Sequence, residues 1–147
     1  MAKTTENEHT AALRKVKLFA GVSDADLNAI ASRARVVEHR AGHTLVSEGG
    51  GSGGGGFHML LDGKATVSVG GHPRRTLGPG DYYGEISLID GKPRSATIKA
   101  DTDVKTLSLV SWEFTPLLDE RSSLTRALLM GMCERVRDLE QRLAGQS

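Results

Sequence analysis

The sequence predicts an α+β fold in which a β-barrel or jelly roll fills the middle of the chain and helices stand at both ends. Three observations carry that prediction. Between residues 36 and 109 the chain breaks into seven short strand-like runs. Turn chemistry separates them: R-A-G-H, L-D-G-K, G-G-H-P, L-G-P-G-D and D-G-K-P. Many short strands punctuated this often belong to barrels and rolls. On either side, apolar residues recur at helical spacing instead.

The elements follow in chain order. Residues 10–18 (T-A-A-L-R-K-V-K-L) read as a short helix, and residues 1–9 as a frayed tail. Ser23 is a good N-cap, with Asp24 and Asp26 in the first turn, where the helix dipole favours acids. Leu27, Ile30, Ala31 and Ala34 then place a helix at about 24–34. The strand-like runs are Val36-Val37, 44–46, 57–61, 65–69, 75–77, 96–100 and 104–109; the last alternates apolar and polar. Ser111 can cap a following helix, which Pro116 should kink or force to restart at Thr115. A final helix at about 122–143 carries Leu128, Met132, Val136, Leu139 and Leu143 on one stripe.

Bulk properties bound what such a chain can do. Its 147 residues suit one domain, placed at 10–143 with a short tail at 144–147. Nineteen basic and eighteen acidic residues leave a net charge of +1, so no long-range field favours nucleic acid or an anionic membrane. An anion would need a local pocket. The one cysteine, Cys133, cannot form an internal disulfide, which suits a reducing compartment. There is no apolar run near 18 residues and no signal-peptide pattern at the polar start, so a soluble, cytoplasmic protein is expected.

The chemistry concentrates in residues 78–100, G-P-G-D-Y-Y-G-E-I-S-L-I-D-G-K-P-R-S-A-T-I-K-A. Arg94 lies between a proline and small residues, just before a strand that reads as buried. A guanidinium near the interior needs an anionic partner, which Glu85 or a ligand could supply. The stretch G-E-I-S-L-I can form one helical turn whose first amides lack partners. Amides plus a guanidinium suit a phosphate. The carboxylate would repel it and should face a hydroxyl instead.

The pieces Gly84-Glu85-Ile86-Ser87-Leu88 and Pro93-Arg94-Ser95-Ala96-Thr97 closely resemble the phosphate-binding cassette of cyclic nucleotide-binding domains. These are the ligand modules of the catabolite activator protein and of the regulatory subunits of cAMP-dependent kinase. The resemblance covers residues 10–143 in element order. It implies an eight-stranded antiparallel β-roll flanked by short N-terminal helices and two C-terminal ones, the last a long lid. It implies that Glu85 accepts from the ribose 2′-hydroxyl and that Arg94 pairs with the cyclic phosphate. The amides of Ser87 and Ser95 would add to the phosphate, with those of Ile86 and Ala96 as further donors, and Gly84 would let the backbone come close. Leu129, Met132, Cys133 and Val136 are the candidates for a lid over the base. Ser95 leans toward cAMP, since a threonine there often accompanies cGMP, although a serine could also reach a guanine amino group. The ligand is thus a cyclic nucleotide, with no cofactor or metal. The expected role is a sensor, not an enzyme, whose C-terminal helices respond to ligand and signal to an unknown effector protein.

Other readings compete. Cupin-type enzymes share the strand-rich texture, but their sites need a His-x-His pair, and His39, His43, His58 and His72 do not supply one. Many relatives continue into a helix-turn-helix domain, whereas this sequence stops at Ser147, so it is either a stand-alone module or the ligand half of a larger regulator. The apolar stripe of the last helix could pack internally, act as the lid or form a homodimer seam.

One segment stands apart. Seven of the eight residues 49–56 are glycine. They fall between the second and third strands, so they form an inter-strand loop rather than a domain linker. No Lys-Ser/Thr follows and a strand comes next, which excludes a P-loop. The composition is that of a synthetic tether substituted for a native loop, or else of a low-complexity insert, and the segment should be the most mobile internal one.

Overall fold

In the computed structural model the described residues are 2–49, 56–92 and 96–145. Their contacts divide into two compact units. A helical unit takes the first 32 residues together with those from Leu117 onward, and a strand unit takes Arg33–Pro116.

The strand unit holds eight strands: β1 (Arg35–His39), β2 (Thr44–Val46), β3 (Gly56–Asp62), β4 (Ala65–Val69), β5 (His72–Leu77), β6 (Tyr82–Tyr83), β7 (Thr97–Ala100) and β8 (Val104–Val110). They form two antiparallel four-stranded sheets, ordered β1-β8-β3-β6 and β2-β7-β4-β5. One buried cluster draws on both sheets: Leu60 and Val104 from the first, and Val46, Val67, Leu77 and Ile98 from the second. The α+β roll predicted from the strand spacing is therefore present. β6 was hidden because two tyrosines are too few to make a periodic pattern. β5 begins three residues earlier than predicted, at His72, since Pro73 sits in an edge strand where its missing N–H costs little.

The alternation of β8 does not produce one wet face. Thr106 and Ser108 are buried along with Leu107 and Leu109. β8 lies between β1 and β3, and its hydroxyls are used: Thr106 Oγ1 and Ser108 Oγ are 2.9 Å apart, and Ser108 Oγ lies 2.9 Å from His58 Nδ1. Hydroxyls that bond each other can be buried at small cost.

The β3–β4 turn requires its glycine. Gly63 has φ +90°, and a Cβ there would lie 2.3 Å from the Asp103 carbonyl oxygen. The turn is sewn to the β7–β8 turn by bonds from Lys64 N to Thr102 Oγ1 (3.0 Å) and from Asp101 N to the Lys64 carbonyl (2.9 Å).

The helical unit comprises α1 (Ala2–Arg14), a 3-10 turn at Lys17–Phe19, α2 (Asp24–Ala31) and α5 (Ser122–Gly145). α4 (Ser111–Glu120) runs across the division, and Pro116 is the last residue of the strand unit. Of the two alternatives expected at Pro116, a kink or a restart at Thr115, the restart does not occur, as one helix covers the whole segment with the proline inside it. α1 starts at Ala2, not near residue 10, so the expected tail is helical; its sequence A-K-T-T-E-N-E-H-T-A-A-L-R has no glycine or proline to stop it. At the other end α5 reaches Gly145, past the predicted boundary at 143. Leu13, Phe19, Leu27, Ile30, Leu124 and Leu128 are buried here. Ser23 caps α2 as predicted, accepting from Asp26 N at 3.2 Å. The Asp26 side chain is buried and takes bonds from Ser123 Oγ (2.7 Å) and Arg121 Nη1 (3.0 Å). The Ser123 hydrogen bond, aided by Arg121 and Ser23 and opposed by burial, holds its carboxyl below the usual value.

Candidate cyclic nucleotide site

The site is built from β3 outward. Leu60 N donates to the Asp81 carbonyl (2.9 Å), and Gly80 N donates to the Leu60 carbonyl (2.7 Å). β6 then pairs with β3, Tyr83 opposite His58 and Tyr82 opposite Met59. These bonds fix the backbone immediately before the predicted cassette. Asp81 is a turn clamp: its Oδ2 accepts from Gly78 N at 2.8 Å. The G-P-G-D spacing was the available signal.

Gly84 follows with φ 96° and ψ 17°, a left-handed conformation that admits glycine far more readily than other residues. It turns the chain into α3 (Glu85–Asp90). Leu88 N donates to the Gly84 carbonyl at 3.0 Å, so the amides of Ile86 and Ser87 precede the first bond of the helical ladder. Leu88 is fully buried and α3 packs on β3, which leaves Gly84, Glu85, Ile86 and Ser87 half-buried on one turn. Gly91, also left-handed, ends the helix, and Asp90 Oδ1 accepts from Lys92 N at 2.9 Å.

Of the predicted site residues, Gly84, Glu85, Ile86 and Ser87 are thus brought together. Arg94 and Ser95 lie outside the described residues. Ala96 is described: its methyl is buried in the two-sheet cluster, so only its backbone could face a ligand. The lid candidates all lie on α5, where Leu129, Cys133 and Val136 are exposed and Met132 is half-buried.

The glycine run Gly50–Gly55 also lies outside the described residues, while Gly56, assigned to the loop from sequence, is the first residue of β3. Glu48 anchors the chain just before the run. Its Oε1 accepts from Gly70 N (2.9 Å) and Thr97 Oγ1 (3.5 Å), and its own N–H donates to Thr97 Oγ1 (3.1 Å).

A second concavity, of about 590 Å³, lies at the ends of β1, β3 and β8, lined by Glu38, His39, Arg40, Asp62, Asp103 and Lys105 among others. No cassette residue lines it. Its carboxylates have partners: Glu38 faces Lys105 at 3.9 Å, Asp103 accepts from Ala41 N and Asp62 from Gly63 N. His39 stacks on His43, and burial followed by His43's charge lowers its pKa. Among the described residues no group of three or more His, Cys, Asp and Glu could hold a metal.

Comparison with known proteins decides the family. The model of the cyclic nucleotide-binding domain matches residues 36–121, more than half of the chain. The chain belongs to the cyclic nucleotide-binding domain family. This domain is 40% identical over 89 residues to a cGMP-dependent protein kinase of Toxoplasma gondii, covering 60% of this chain and 9% of that protein. It is 35% identical over 112 residues to a cAMP-dependent protein kinase regulatory subunit of Aspergillus niger, covering 75% of this chain and 27% of the relative. Among solved structures it is similar to the N-terminal domain of a transcriptional regulator from Streptomyces coelicolor, with a TM-score of 0.78, 29% identity, and 90% and 94% of the two chains covered. The chain thus spans no more than about a quarter of the length of these two curated relatives. No described helix is long and apolar enough to cross a membrane.

Proposed function

We propose that this domain binds cAMP as a regulatory sensor and carries out no reaction of its own. The observation that carries the reading is the single turn Gly84–Ser87. A left-handed glycine delivers Glu85 to the head of a helix whose first amides have no helical acceptor, nine residues ahead of Arg94. In this reading Arg94 and the amides of Ile86, Ser87, Ser95 and Ala96 hold the cyclic phosphate. Glu85 accepts from the ribose 2′-hydroxyl, with Gly84 giving the backbone its close approach. The matched relatives include both cAMP- and cGMP-dependent proteins, and Ser95 supports cAMP. The C-terminal helices, with Leu129, Met132, Cys133 and Val136 as base-facing candidates, are the responsive part, because a ligand shifts an equilibrium only by contacting its two states differently. An effector protein would read that response.

Calorimetry tests this directly. The domain should bind cAMP more tightly than cGMP; the reverse order would overturn the cAMP assignment, and no binding of either would overturn the sensor. Arg94→Ala should weaken cAMP roughly tenfold to a hundredfold, the loss of a charge-assisted interaction of about 1.5–3 kcal/mol. Glu85→Gln should weaken cAMP more than its 2′-deoxy analogue, and equal losses would remove the ribose role.

A further inference from the structure

The corner between β1 and β2 holds two histidines. His39 ends β1, opposite the buried Val104 of β8, and is itself half-buried. Its Nε2 is buried and has no hydrogen-bond partner among the described residues. His43 stacks on it from the other end of the turn, with ring centroids 5.1 Å apart and planes 21° apart. Backbone bonds tie the corner down. Gly42 N donates to the Ala100 carbonyl (2.7 Å), Ala100 N to the His43 carbonyl (2.8 Å), and Ala41 N to Asp103 Oδ1 (2.9 Å). A Cβ on Gly42 would meet nothing within 4 Å, in contrast to Gly63, so no close steric contact there adds to these bonds.

We propose that this corner is an acid-released latch: a proton on His39 drives its ring out of the slot and frees β2 from β7. A buried ring nitrogen without an acceptor cannot share a proton, and a second imidazole faces the ring, so the closed corner favours neutral His39. Burial, and then the charge of His43, lowers its pKa accordingly. The open corner offers the reverse. The concavity beside His39 is lined by Glu38 of β1, Arg40 of the turn, Asp62 of β3, Asp103 of the β7–β8 turn and Lys105 of β8, three acids against two bases. An imidazolium turned toward it gains acceptors that the slot lacks. The two states therefore differ in proton affinity, which lets pH shift them. The closed corner is complete above the ordinary histidine value and is lost as pH falls through the lowered one. The consequence for ligand rests on the sensor reading above. β2 pairs with β7 at Thr44–Lys99 and Val46–Ile98, and β7 begins one residue after Ala96, whose amide is a proposed phosphate donor. β7 also pairs with β4, which still holds it when β2 leaves, so acid should weaken nucleotide binding only modestly.

Amide hydrogen exchange on the full chain, without nucleotide, tests the latch. From about pH 7.5 to about pH 5.5 the protection factors of Gly42 and Ala100 should fall about threefold or more. That of Leu60, bonded to the Asp81 carbonyl, should hold. His39→Phe keeps a ring in the slot but has no proton site, and should abolish the fall. It also puts a C–H where a nitrogen lacked a partner, so the fold should not lose stability. His43→Gln leaves the burial and removes the facing charge, and should shrink the fall without abolishing it. Calorimetry adds a second arm: cAMP affinity should weaken about twofold over the same pH step, and less in His39→Phe. Protection that ignores pH, that falls equally at Leu60, or that falls equally in His39→Phe would overturn the latch. An affinity loss identical in wild type and His39→Phe would overturn its coupling to the cassette. If no nucleotide binds at any pH, the sensor reading fails, and exchange alone decides the latch.

Discussion

The strand unit and the helical unit hold themselves together in different ways. In the strand unit, backbone conformations are fixed by residues that leave no alternative: Gly63 against the Asp103 carbonyl, Gly84 at the head of α3, and a buried apolar cluster shared by two sheets. The helical unit has its own apolar core, but α2 is tied to the start of α5 and to Arg121 by one buried carboxylate, Asp26, and the far half of α5 leaves its apolar stripe uncovered. Steric constraints do not titrate and do not exchange partners. A hydrogen-bonded carboxylate can titrate, and an open apolar stripe can exchange partners. Under the proposed function, ligand recognition would rest on the first kind of structure and response on the second.

The largest expected effect tests the steric half. Gly63→Ala combines a left-handed backbone with a Cβ driven into a carbonyl oxygen, and should cost about 3 kcal/mol of stability in denaturant titration. An unchanged midpoint would mean that the turn yields, and that the strand unit is softer than the comparison holds. Next comes Asp26→Ala, which removes an acceptor of two side-chain bonds from a buried site and should cost about 2 kcal/mol near neutral pH. That cost must depend on pH. The folded carboxyl titrates below the ordinary aspartate value, so its contribution is complete above that ordinary value and is lost as pH falls through the lowered one. The gap between wild type and Asp26→Ala should therefore narrow below about pH 4, whereas the Gly63→Ala gap should not. Parallel pH profiles for the two variants would break the contrast.

The same contrast explains what could be read from the sequence. Turn glycines and alternating strands leave short-range signatures, so the roll, the Ser23 cap and the cassette spacing were legible. Contacts between residues far apart in the chain leave none. Asp26 read only as a helix-dipole acid, yet its partners lie 95 and 97 residues away. β8 alternates apolar and polar in sequence, yet Thr106 and Ser108 are buried, which their hydrogen bonds to each other and to His58 make acceptable. The helical turn that begins at Glu85 was legible because glycine, acid and apolar residues stand next to one another.

The smallest effect concerns the place where the two modes meet within the strand unit. Glu48 is exposed, so its bonds to Gly70 N and Thr97 Oγ1 should contribute about 1 kcal/mol or less to stability. Their importance is positional. They fix the end of β2 one residue before the glycine-rich stretch begins, and they reach β7 one residue after Ala96. The glycines that follow in the sequence have no side chains, so Glu48 is the last hydrogen-bonded side chain before them. Glu48→Ala should leave the unfolding midpoint almost unmoved while speeding hydrogen exchange at the Gly70 amide, which loses its acceptor. If Gly70 exchanges at the wild-type rate, the anchor is only one of several. If instead the midpoint falls as far as in Gly63→Ala, this exposed hydrogen-bonded acid matters as much as a steric constraint, and the distinction between the two modes fails inside the strand unit itself.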